Sequence, residues 1–168
     1  MKLALSILLI ALAVAGASAQ VPQIDRITII DYGIFHTRPK AEVSAPDTAA
    51  GNIHRTSTSG LTLVEMTRII PARIGTHFGF HYFVTGQPYG ARVPLIFTMI
   101  YPVPGLKNPT APEVKQKDEV EVHKILGKDG YDGYAFDHDW ELVPGTWTFQ
   151  LWYQGRKEAE QCFTVIAQ

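Results

Sequence analysis

Three carboxylates at alternate positions, Asp137, Asp139 and Glu141, are the side chains of this chain best suited to acid–base chemistry. On an extended strand, neighbouring members of such a set stand about 6.7 Å apart at the backbone. Two of them would then have the reach of a glycosidase-like pair, one giving and one taking a proton. The same spacing also describes a solvated stripe that keeps one sheet face polar, and the stripe is the reading adopted. His138 falls on the opposite, apolar side with Phe136, Trp140 and Leu142, where it is expected to be a hydrogen-bonded core histidine. A small hydrolase using the Asp137, His138 and Asp139 neighbourhood is the catalytic alternative.

The other candidates lack geometry or partners. His77 and His81 are four residues apart, which on a strand spans about 13 Å. A shared zinc needs both nitrogens within about 2.1 Å of the ion, so both are expected to face outward and no metal site is expected. Residues 128–133, Lys-Asp-Gly-Tyr-Asp-Gly, hold two Asp-Gly dipeptides but neither the alternating acids nor the distal glutamate of a calcium loop. Two tight turns are expected there, and Tyr131 and Tyr134 offer ring faces that suit a sugar. Beyond residue 19 the serines are Ser44, Ser57 and Ser59, and no Gly-x-Ser-x-Gly elbow occurs. Cys162, the one cysteine, lies between Gln161 and Phe163 without the cation or helix start that activates a thiol. No glycine-rich phosphate loop is present. No catalytic residue, cofactor or metal is expected.

The N-terminus predicts a destination. Met1-Lys2, an apolar run from Leu3 to Val14, and Ala17-Ser18-Ala19 have the order of a secretory signal peptide, too short to span a bilayer. Cleavage after Ala19 would leave Gln20 first in a single domain, residues 20–168, with no membrane span and a periplasmic or extracellular location. The loss of Lys2 takes the formal charge from −1 to −2, without the basic footprint that nucleic acid demands.

Positioning falls to strands. Period-two apolar patterning marks residues 24–35, 61–70, 76–85, 93–101, 119–126, 134–142, 146–153 and 157–165, with no capped helix among them. Phe78, Phe80, Tyr82 and Val84 share one face, and residues 93–101 are apolar on both, as a central strand would be. Two long loops are expected, 36–60 and the four-proline segment 102–118. Near the C-terminus, Trp147, Phe149 and Leu151 must meet Phe163 and Val165 on one core face, so odd pairs with odd. A three-residue hairpin loop, 153–155, with a left-handed Gly155 would keep that parity. Pro144-Gly145 suits a crossover between sheets. Trp140, Trp147, Phe149 and Phe163 are expected to form one inter-sheet core. The pattern predicts an all-β, immunoglobulin-like antiparallel sandwich of seven to eight strands.

Residues 140–165, WELVPGTWTFQLWYQGRKEAEQCFTV, resemble the C-terminal signature of a bacterial secreted family known only as domain of unknown function 3859. IPARIGTHFGF at 70–80, DYGIF at 31–35 and GLKNP at 105–109 are similar to its other blocks. Cys162 and Glu158 stand where that pattern would have a serine and a leucine. The resemblance implies export and a β-sandwich, and it implies no activity or catalytic residue.

The functional expectation is an exported, non-catalytic module that binds a protein or an envelope component, with a carbohydrate-binding module as a further alternative. In the register above Trp152 falls on the outer face beside Gln150, where either one of the two long loops folds over it or a partner covers it, since tryptophans are enriched among interface anchors. Trp152 and Gln150 are therefore the candidate partner surface.

Overall fold

A computed structural model describes residues 20–37 and 60–168. The leader and almost all of the loop expected at 36–60 lie outside these residues, whereas His36 and Thr37 continue the first strand. Nine strands are present among the described residues: β1 (Gln23–Thr37), β2 (Leu61–Glu65), β3 (Ile69–Pro71), β4 (His77–Gln87), β5 (Arg92–Ile100), β6 (Lys117–Ile125), β7 (Lys128–Ala135), β8 (Gly145–Tyr153) and β9 (Arg156–Ile166). They form two sheets, β2-β1-β4-β7 and β3-β9-β8-β5-β6. The all-β sandwich expected from patterning is the observed architecture. No helix among the described residues is long and apolar enough to cross a membrane.

The core lies between the sheets. Phe78 sits at its centre, with the rings of Phe136, Phe149, Phe163 and Trp147 at 5.2–5.8 Å between centroids. Trp147 is fully buried, and its indole N–H donates to the Val143 carbonyl at 3.0 Å, which removes the cost of burying that polar group. Trp140 departs from expectation: it is half-buried at the rim of the core. The edge between β6 and β7 is closed by polar groups. Lys124 on β6 reaches Asp132 on β7 at 2.9 Å, and the Tyr82 phenol donates to the same carboxylate.

Parity in the last hairpin is odd with odd, as the core requires: Trp147 faces Phe163, Phe149 faces Gln161 and Leu151 faces Ala159. The device differs from the expected three-residue loop. Tyr153 pairs with Arg156 across a two-residue turn, Gln154-Gly155, and both turn residues have positive φ (48° and 79°). That is a type I′ turn, which would invert the parity. A bulge between Leu151 and Trp152 leaves Glu158 as the extra residue and restores it.

Three segments differ from the pattern reading. Residues 61–70 are two strands in different sheets, and β3 runs parallel to β9. β7 begins at Lys128 and takes in both Asp-Gly dipeptides, so the expected turns at 129–130 and 132–133 are strand. It ends at Ala135, before the carboxylates. The crossover to the second sheet then runs through a 3-10 turn, Asp139–Glu141. Alternating polarity cannot tell a strand from a turn this short.

Candidate functional site

The Asp137–Glu141 region does not build the expected stripe. Glu141 turns inward and is fully buried, whereas His138 and Asp139 are exposed. The expected core histidine is therefore a surface residue, and its ring stacks on Trp140 at 5.6 Å with 15° between planes. Glu141 Oε1 accepts from the Tyr134 phenol at 2.8 Å, and Oε2 accepts from the backbone N–H groups of Asp137 at 2.6 Å and His138 at 2.8 Å. One carboxylate thus ties the turn to β7. Burial, then the Glu141 charge, holds the Tyr134 phenol well above its ordinary range.

This tie fixes one wall of a cleft. Leu106, Asn108, Ala111, Glu113, Lys115, Asp118, Tyr134 and Trp140 line a small cavity of about 40 Å³ between the turn and the segment that follows β5. That segment, expected as a long loop, is a small hairpin with a bridge between Leu106 and Lys115. Its tip is braced: Lys107 Nζ donates to the carbonyls of Ala111 at 3.1 Å and Pro112 at 2.7 Å, and Asn108 Oδ1 accepts from the Thr110 N–H at 2.9 Å. Lys115 Nζ lies 2.9 Å from Asp118 Oδ1, and the Tyr101 phenol donates to Asp118 Oδ2 at 2.8 Å. Patterning missed every lining residue except Trp140 and Tyr134. The available signal was proline spacing, which marks a loop but not the cavity under it.

His77 and His81 point to the outer face of the first sheet, four positions apart on β4. His81 lies 3.5 Å from Asp31 and 4.0 Å from Asp129. No group of three metal-ligating side chains occurs among the described residues. Tyr131 is buried on the same face, its hydroxyl over Gly79 and Gly133, where a Cβ at either glycine would come within 2.7 Å of it. Tyr134 faces the core. Neither tyrosine offers the open ring face expected for a sugar.

The outer face of the five-stranded sheet carries Trp152. It pairs across strands with Ile96, Gln150 with Thr98, and Thr148 with Ile100. Ile96 and Ile100 are exposed, Cys162 is exposed beside Thr148, and Trp152 is half-buried. The indole N–H donates to Gln150 Oε1 at 2.9 Å, while Gln150 Nε2 donates to Glu160 at 2.8 Å. Lys157 closes the chain at 2.6 Å from Glu160, and hydrogen bonds from Lys157 and then Gln150 hold that carboxyl below its ordinary range. Thr98, under this network, is buried with its hydroxyl unpartnered among the described residues.

Comparison with known proteins fixes the family. The sequence model described as a domain of unknown function, DUF3859, matches residues 23–165. The chain belongs to the DUF3859 family. Its fold is shared with the crystal structure of an immunoglobulin-like protein from Pseudomonas aeruginosa, at 27% identity and a TM-score of 0.60. That match covers 90% of this chain and all of the other. No curated protein matches. The DUF3859 domain is thus an immunoglobulin-like sandwich, and the family description names no activity.

Proposed function

We propose that this DUF3859 protein is an exported, non-catalytic binding module that docks a protein partner on the outer face of its five-stranded sheet, with Trp152 at the centre. The observation that carries this reading is the Trp152–Gln150–Glu160–Lys157 network. It holds a half-buried indole in one orientation beside the exposed Ile96, with Lys157 opposite it on β9 and Glu121 opposite Ile96 on β6. Tryptophan is enriched among interface anchors, and polar side chains around such an anchor form the usual rim of a protein interface. A pre-set side chain also loses less freedom on binding. Export rests on the signal-peptide pattern of residues 1–19.

A photo-crosslinking residue in place of Ile96, introduced in the native cell, tests the face directly. The expected result is a covalent adduct with one discrete protein, absent when the same residue replaces Phe83 on the opposite sheet. Equal labelling from both positions would remove the proposed face.

A further inference from the structure

We infer that the cleft under Trp140 is a second binding site, independent of the Trp152 face, and that it takes the acetamido group of an N-acetylated sugar. The first argument is preorganisation. Both walls are held by side-chain hydrogen bonds: Glu141 pins the turn to Tyr134 and two backbone N–H groups, and Lys107 and Asn108 brace the opposite hairpin. His138 stacks on Trp140 and sets the plane of the indole at the cleft. A rigid aromatic beside fixed polar groups is what a weakly bound sugar ring needs, because little remains to be ordered on binding.

Size and lining narrow the ligand. The enclosed space of about 40 Å³ has room for roughly three waters by the usual 10–15 Å³ of such volume for each. A whole pyranose does not fit within it, but a planar acetamido group does, with the ring left at the mouth against Trp140. Leu106 and Ala111 offer apolar surface to the methyl group. The Asn108 Oδ1 is taken by Thr110, so its Nδ2 is the donor for the acetamido C=O, and the Glu113 carboxylate is the acceptor for the acetamido N–H or a neighbouring hydroxyl. Lys115 is matched by Asp118, so Glu113, an exposed residue, leaves the lining with one net negative charge and an acceptor for N–H and O–H donors.

Titration of the purified domain with methyl N-acetylglucosaminide, followed by the NMR signal of the Trp140 indole N–H, tests the inference. The expected result is a saturable shift, with methyl glucoside weaker by about tenfold or more. Trp140→Ala should abolish saturation transfer to the sugar, whereas Trp152→Ala should leave it unchanged. Ala111→Leu fills the cavity without touching the turn and should also abolish binding, which covers the case in which Trp140→Ala unfolds. No shift with the acetamido sugar, equal binding of both glycosides, or full binding by Ala111→Leu would each overturn the inference. The Trp152 face would stand or fall separately.

Discussion

The Tyr134 phenol donates to Glu141 Oε1 at 2.8 Å, and both residues are buried. A buried carboxylate is tolerable only where its oxygens are satisfied. Here the phenol and two backbone N–H groups satisfy it. Glu141→Ala removes the acceptor and leaves three buried or half-buried donors unmatched. A loss of about 3 kcal/mol is expected in urea unfolding. A loss below about 1 kcal/mol would mean that water reaches those donors.

Alkaline pH should destabilise the domain through its tyrosines. Burial is the main cause that raises the pKa values of Tyr82, Tyr101, Tyr131 and Tyr134, and neighbouring carboxylates add to it. A phenol whose folded pKa exceeds its unfolded value of about 10 contributes fully below that pH. Its contribution is lost as pH rises further, because the unfolded chain releases protons that the fold retains. The melting temperature should therefore fall steeply above about pH 10, while phenolate absorbance of these four rings appears only as the domain unfolds. Free ionisation of all seven tyrosines in the folded state would contradict the burial.

Trp147→Ala should cost about 3–5 kcal/mol, since it opens a cavity against Phe78, Phe136 and Tyr101 and frees the Val143 carbonyl. Chemical denaturation measures this. An effect near zero would break the assigned register of β8 and β9.

Secreted protein should begin at Gln20, or its cyclised form, by intact-mass measurement. Mature protein that retains Met1 would contradict export by cleavage.

What could be read from residue types was whatever alternates. Phe78, Phe80, Tyr82 and Val84 announced their strand, and the match of Trp147 with Phe163 followed from parity alone. The bulge at Glu158 was not legible, because a bulge and a longer loop satisfy the same parity. Residues 136–142 misled for a related reason. Phe136, His138, Trp140 and Leu142 alternate like a strand, yet only tertiary burial of Glu141 shows that the chain has turned. The sequence His138-x-x-Glu141 held a usable hint, since a glutamate three residues on can accept from the backbone N–H at a helical start, as it does at 2.8 Å. The cleft was invisible because it exists only where the segment 106–118, which patterning reads as a loop, folds against Tyr134 and Trp140. Trp152 was placed outward correctly, but its tether to Gln150 was not foreseen.

The proposed partner surface is tested most directly by comparing wild type and Trp152→Ala in two measurements on the same preparations. One is the melting temperature; the other is the affinity for the protein crosslinked through position 96, once purified. Trp152 is only half-buried and its main tie is to Gln150, so the melting temperature should change by no more than about 4 °C. Affinity should fall by roughly thirtyfold or more, the loss of an anchor worth about 2 kcal/mol. Unchanged affinity in a folded Trp152→Ala domain would contradict the account.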